Sequence, residues 1–266
     1  MNFLKNNNAP IGLFDSGVGG LTVLKCLKEI LPEENYVYYG DTVHMPYGDK
    51  SKSQLLEYSE NILKYFETRG CKAVVMACNT TSSNIFDEVK GKYNFKLYSI
   101  VHCVSEILSA LPITKLGIFA TRATVESGAY QNLITKFNPE MKVFAQYCPK
   151  WVHIVENNLL NEETSVATIK SDLERMMLNQ PEKILLGCTH YPFLLNIFSK
   201  YTASDNFIDP AIYFAQYIKN DLASKNLLSN EKTQTDEFFV SSNPQNFKSA
   251  AKLFYELKQE PKVLVF

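Results

Sequence analysis

The sequence predicts an α/β protein made of two similar α/β domains, with mainly parallel sheets facing each other across a buried cleft. Three observations predict it. Short apolar runs alternate with helix-period segments along most of the chain, the pattern of parallel strands covered on both faces. A strand followed by cysteine and small hydroxyl residues occurs twice, in Ala73-Val-Val-Met-Ala-Cys78-Asn-Thr-Thr and in Ile184-Leu-Leu-Gly-Cys188-Thr-His-Tyr-Pro. Each cysteine then sits at the carboxyl end of a buried strand, where parallel sheets place their ligands.

The elements follow in order. Ile11–Phe14 is an apolar strand closed by Asp15 and a glycine-rich turn, and Leu21–Leu31 continues as a helix. Tyr36–Tyr39 is the second strand. In the helix Ser51–Arg69, Leu55, Leu56, Ile62, Leu63 and Phe66 recur at helical spacing, the mark of one buried face. Ala73–Ala77, Leu97–Val101, Leu116–Ala120, Met141–Ala145 and Ile184–Leu186 are apolar runs bounded by Gly, Pro or polar residues, hence strands. Thr124–Phe137, Glu162–Leu178 and Ile212–Ser224 complete the series as helices.

Composition narrows the function. At about 150 residues per domain, 266 residues make one large or two small domains. With 45% apolar and 21% charged residues the chain is in the ordinary soluble range. Its 27 basic and 28 acidic residues leave a net charge of −1, so no global electrostatic footprint for nucleic acid or an anionic membrane exists. No apolar run reaches the ~18–20 residues of a membrane helix. Met1–Lys5 with Asn6–Asn8 lacks a hydrophobic signal core, which makes the cytoplasm the default location. Six scattered cysteines, with no C-x-x-C pair and no Cys/His cluster, read as reduced thiols rather than as a zinc or redox site.

The segment from Ile11 to Thr22 ends a strand in a glycine-rich turn that opens a helix, aiming backbone N–H groups at an anion. It is neither a P-loop nor the dinucleotide fingerprint, so a carboxylate is the fitting guest; the plainer alternative makes Asp15 a helix N-cap. Tyr39–Gly48 is a loop after the second strand. Cys26, Cys71 and Cys103 read as packing. Cys78 and Cys188 differ because polar side chains follow each: Asn79, Thr80 and Thr81, then Thr189 and His190. One cysteine with His190 suggests acyl transfer, as in amidases. Two in matching settings suggest a thiolate that removes a proton from carbon while the opposing thiol delivers one, inverting a stereocentre without a cofactor.

The chain resembles the glutamate racemases of the cofactor-independent aspartate/glutamate racemase superfamily. The matching segments are Phe14-Asp-Ser-Gly-Val-Gly-Gly-Leu, Tyr39-Gly-Asp through Pro46-Tyr-Gly, Ala77-Cys-Asn-Thr, Thr121-Arg-Ala-Thr124 with Ser127-Gly-Ala-Tyr130, Val155-Glu156, Leu186-Gly-Cys-Thr-His-Tyr-Pro and Ile208-Asp-Pro. The resemblance implies Cys78 as the base for D-glutamate and Cys188 as the base for L-glutamate. Asp15 and His190 would assist the nearer thiol, and Glu156 would orient His190. Asp15, Ser16, Tyr47, Gly48, Asn79, Thr80, Thr121, Thr124, Thr189 and His190 would hold the substrate. It also implies domains at residues 1–98 and 99–206, with 207–266 returning to the first. Expected too are a product used for peptidoglycan, no cofactor or metal, and a homodimer of unspecified pairing. A long N-terminal extension, seen in activator-dependent members, is absent, which leans against that mode of control.

The sequence departs from the family at Ser99–Glu106, and its last 55 residues match only loosely. His102 and His153 read as structural, His44 as a residue of the cleft mouth. Trp151 lies near Glu156 in sequence, so a place beside the cleft would make its fluorescence sensitive to glutamate. Competing readings are a sister racemase for aspartate, a Cys–His amidase needing one thiol, and a binding protein that keeps the fold without the chemistry, since some family members inhibit DNA gyrase.

Overall fold

The computed structural model describes residues 7–266, so most of the segment inspected for a signal core, residues 1–6, lies outside the described residues. In chain order the elements are β1 (Ile11–Asp15), α1 (Leu21–Ile30), β2 (Tyr36–Gly40), α2 (Lys52–Thr68), β3 (Ala73–Met76), α3 (Asn79–Val89), β4 (Lys96–Ser99) and α4 (Ile100–Ser109). Next come β5 (Lys115–Ala120), α5 (Arg122–Ser127), α6 (Ala129–Phe137), β6 (Lys142–Tyr147), α7 (Trp151–Glu156), α8 (Glu163–Met177), β7 (Lys183–Gly187) and α9 (Leu195–Phe198). The chain closes with β8 (Phe207–Ile208), α10 (Pro210–Ser224), β9 (Glu237–Val240), α11 (Pro244–Ala251) and β10 (Lys262–Val263).

These strands form two sheets, ordered β10-β9-β2-β1-β3-β4 and β6-β5-β7-β8, and each pairing is parallel. The α/β class read from the alternation is therefore the observed one. Every residue of β1, β2 and β3 is buried, as strands covered by helices on both faces require. The helix over residues 52–68 begins with a capping box, in which Gln54 N donates to Ser51 Oγ and Ser51 N donates to Gln54 Oε1. Leu55, Ile62, Leu63 and Phe66 form its buried face. The C-terminal β9 pairs with β2, and β10 with β9, at one edge of the first sheet.

The structure differs from the sequence reading at several points. The apolar run 97–101 ends as a strand at Ser99, whose Oγ accepts from His102 N and starts α4. The helix expected over 124–137 is broken at Gly128, which sits in the left-handed region at φ 64°. Asp15 is not the cap of α1, whose N-cap is Gly20; it accepts instead from Gly17 N at 3.1 Å. Trp151 lies in the core, packed on Phe119, Tyr191 and Phe198, with Nε1 donating to Asp172 at 2.8 Å. Its emission thus reports on that core. Among the described residues no helix is long and apolar enough to cross a membrane.

Candidate active site

The carboxyl ends of strands from both sheets open onto one cavity of about 290 Å³, a volume suited to a small metabolite. Its wall combines Ser16 after β1, Tyr47 and Gly48 after β2, and Cys78, Asn79 and Thr80 after β3. The second sheet adds Thr121 after β5 and Cys188, Thr189 and His190 after β7, while Glu156 ends α7. Eleven of the site residues named from the sequence thus meet in one place. Asp15 and Thr124 do not form wall. Asp15 is fully buried behind it, and Thr189 Oγ1 donates to its Oδ2 at 3.5 Å. Thr124 Oγ1 lies 2.9 Å from Thr121 Oγ1, and Thr121 Oγ1 is 2.9 Å from Thr80 Oγ1. This run of hydroxyls ties α5 to α3 across the two halves.

The glycine-rich turn has a packing reason. A Cβ on Gly19 would stand 2.2 Å from Thr189 Oγ1 and 2.6 Å from His190 Cε1. Only glycine lets the loop after β1 come this close to the residues after β7.

The two thiols have different surroundings. Burial pushes Cys78 up to about 12, and the Asp15 carboxylate adds to that. Burial likewise raises Asp15, although His190 and the N–H groups of Gly17 and Gly20 pull it back in part. Cys188 Sγ lies 3.8 Å from His190 Nδ1, and His190 Nε2 donates to Glu156 Oε1 at 3.1 Å. Burial opposes charge on this imidazole, but hydrogen bonds to Cys188 and Glu156 outweigh it and lift His190 to about 10. At neutral pH an imidazolium therefore faces one sulfur, and the buried Asp15 carboxyl lies near the other. Phe254 of the C-terminal segment meets the His190 ring edge-on at 5.6 Å.

These shifts carry a stability prediction. His190 holds its proton in the native state up to about pH 10 but releases it near 6.5 when unfolded. Cys26, Cys71, Cys78 and Cys103 hold theirs to about 12 against 9.0 unfolded. In both windows the native state binds more protons, so stability falls as pH rises. Denaturant midpoints are expected to decline from pH 6.5 onward and more steeply above pH 9. His190→Asn flattens the lower window alone, and a midpoint that rises across it would contradict the assignment.

Tyr47 stays a neutral phenol, raised first by burial and then by Asp41, and donates to Asp41 Oδ2 at 2.6 Å. His44 does not line the cavity; its Nδ1 is 2.8 Å from Asp41 Oδ2 and its ring stacks on Tyr58. His102 is bound to Ser99, away from the site. His153, read as structural, does line the wall, as do Pro46, Asp49, Arg122, Tyr147, Cys148, Pro149 and Val152. Tyr147, Cys148 and Pro149 lie at the end of β6. That position alone could have singled them out. Among the described residues no group of three or more His, Cys, Asp and Glu side chains is placed to hold a metal ion. A wider groove of about 490 Å³ beside Lys25 and Lys252 is open to solvent, and its Lys28 is already bound to Asp236 and Tyr255.

Comparison with known proteins shows the family to which the chain belongs. The sequence model described as Asp/Glu/Hydantoin racemase matches residues 19–218. The chain is 39% identical over 251 residues to glutamate racemase 2 of Caldanaerobacter subterraneus subsp. tengcongensis, covering 93% of each. A crystal structure of glutamate racemase from Francisella tularensis in complex with D-glutamate superposes with a TM-score of 0.87 at 29% identity, covering 97% of this chain and 98% of that one. The glutamate racemase of Thermus thermophilus, in complex with β-chloro-D-alanine, gives 0.86 at 31% identity over 98% of both chains. With three quarters of its length inside that sequence model and relatives above 30% identity along nearly all of it, this chain belongs to the Asp/Glu/hydantoin racemase family.

Proposed function

We propose that this protein interconverts L- and D-glutamate by two-base proton transfer between Cys78 and Cys188. The observation that carries the reading is that these two buried thiols, one after a strand of each sheet, line the same cavity. The names of the relatives support glutamate as the substrate.

In the L-to-D direction the Cys188 thiolate takes the α-proton. The C–H electron pair stays on carbon as a carbanion, and the Cys78 thiol protonates the opposite face. The enzyme is left with Cys188 protonated and Cys78 as thiolate, the form that starts the reverse reaction. The His190 imidazolium stabilises negative charge on the Cys188 sulfur. An α-proton is far less acidic than a thiol, so most of the barrier lies in the carbanion. Fixed donors around the substrate carboxylate, in a site that excludes water, lower it where charge develops. Thr80, Thr121 and Thr189 are the donors at hand. The product fits a cytoplasmic supply of D-glutamate for peptidoglycan.

The test is to incubate the protein with L-glutamate in deuterated water without added cofactor, following optical rotation and the α-proton signal together. Rotation decaying to zero with deuterium appearing at the α-carbon is the expected result. Unchanged rotation and an intact α-proton would overturn the reading. The same measurement with L-aspartate separates glutamate from the shorter acid, since one methylene is worth only ~1–3 kcal/mol of discrimination.

A further inference from the structure

The Ser127-Gly-Ala-Tyr130 segment has no part in the proton transfer, yet it ends beneath the substrate cavity. Gly128, at φ 64°, is both the end of α5 and the start of α6. Ser127 Oγ donates to Thr124 O at 2.7 Å and accepts from Ala129 N at 3.2 Å, which fixes the turn. The second residue of α6 is therefore Tyr130, fully buried, and its hydroxyl donates to Asn79 Oδ1 at 2.6 Å. Tyr130 belongs to the half that carries β5, and Asn79 to the half that carries β3. The bond joins the two halves directly under the cleft.

Asn79 is the first residue of α3, next to Cys78, and lines the cavity while only 2% exposed. Among the described residues its Nδ2 has no hydrogen-bond partner. A buried amide donor left unpaired is costly, and such groups ask for an explanation. An amide has two faces, an acceptor and a donor, and a flip exchanges them. Tyr130 takes the acceptor and leaves the donor unpaired. Burial raises its phenol well above the ordinary value, so it remains a neutral O–H that needs an acceptor. Its only side-chain acceptor among the described residues is Asn79 Oδ1. A flipped amide would face that O–H with N–H groups.

Resting on the reaction proposed above, we infer that Tyr130 is a positioning residue: its hydroxyl fixes Oδ1 of the Asn79 amide and so leaves the buried, unpartnered Nδ2 as the donor for a carboxylate oxygen of an amino-acid substrate that closes onto it. The same lock disfavours a ligand that would place an ammonium there, because the group left unpaired is the N–H donor and Oδ1 is turned to Tyr130. Since the phenol comes from the other half, this donor is set only when both halves are docked. Thr80 and Thr121, 2.9 Å apart, and Asn84 Nδ2, donating to Ala123 O at 3.2 Å, fasten the same seam.

The experiment measures racemisation from both enantiomers in the unaltered protein, Tyr130→Phe, Asn79→Ala and the double variant. Losing an oriented donor to a carboxylate is expected to raise KM by about tenfold in Tyr130→Phe for L- and D-glutamate alike. The turnover number should stay within about threefold in both directions, the signature of lost binding common to ground and transition states. In the Asn79→Ala background the same change should add less than about twofold, because the two residues act as one unit. A KM in Tyr130→Phe within about twofold of the unaltered protein overturns the inference. So does a KM effect that persists undiminished beside Asn79→Ala.

If Tyr130→Phe does not fold, Asn79→Asp in the otherwise unaltered chain decides. Tyr130 would hold one carboxylate oxygen and present the other, charged, to the substrate carboxylate. A KM raised by about 100-fold or more supports the lock, and one within about threefold of the unaltered protein overturns it. A protein that racemises glutamate while these variants keep its KM sinks this inference alone. An unaltered protein inert toward glutamate sinks the reaction it rests on, and this inference with it.

Discussion

Cys78→Ser and Cys188→Ser are each expected to lose glutamate racemisation by at least about 10³-fold while remaining folded and able to bind glutamate. A serine hydroxyl is a far weaker acid than a thiol. It can serve neither as the base that takes the α-proton nor as a ready donor to the carbanion. The fold has little reason to respond, because all six cysteines are free and Cys78 caps α3 with its backbone, without a side-chain cap bond. Both variants should therefore keep the thermal transition of the unaltered protein, and calorimetric titration should still detect glutamate. The pair also separates two chemistries. Racemisation needs both thiols, whereas a hydrolase of the Cys–His kind needs one. Near-unaltered turnover in either variant would rule out the two-base assignment.

His190→Asn should lower turnover by roughly 10²-fold and leave an unequal isotopic signature. The imidazolium lies against Cys188, bridged to Glu156, while Cys78 has Asp15 for a neighbour. Removing it raises the barrier for the proton transfer at Cys188 in both directions. Because the two enantiomers are equal in energy, kcat/KM must remain the same from either side. The asymmetry has to appear elsewhere. With α-deuterated L-glutamate, whose C–D bond the proposed reaction assigns to Cys188, the isotope effect on kcat/KM should reach its full size. With α-deuterated D-glutamate, whose bond the proposal assigns to Cys78, it should shrink toward unity. Equal isotope effects from both sides would mean that His190 does not serve Cys188 in particular. Asp15→Asn is the mirror experiment.

The alternation of apolar runs with amphipathic segments sufficed to read β1, β2, β3, β5 and β7 to within about two residues, because a strand buried on both faces has little choice of composition. It failed where composition was ambiguous. Leu97 to Val104 is apolar enough for strand or helix, and the change at Ser99 is made by one hydroxyl that caps α4. The polar start of α3, Asn79-Thr-Thr-Ser-Ser, hides a helix whose buried positions face partners distant in sequence. Trp151 and Glu156 lie on one short helix, but opposite sides of it send the indole into the core and the carboxylate to His190.

The sequence by itself determined the α/β class, the doubled strand-cysteine pattern and the residue types a racemase needs. All of these are local: period, boundary residue and the side chains next to each cysteine. Only the tertiary structure decided that Cys78 and Cys188 share one cavity, that Gly19 must lack a side chain because Thr189 and His190 press on it, and that Tyr130 meets Asn79 from 51 positions away. It also decided the electrostatic difference between the thiols, because charge state follows from burial and from partners brought close by folding. Asp15 and Glu156 are two carboxylates in the sequence; in the folded chain one is buried beside a thiol, and the other holds an imidazolium against its counterpart.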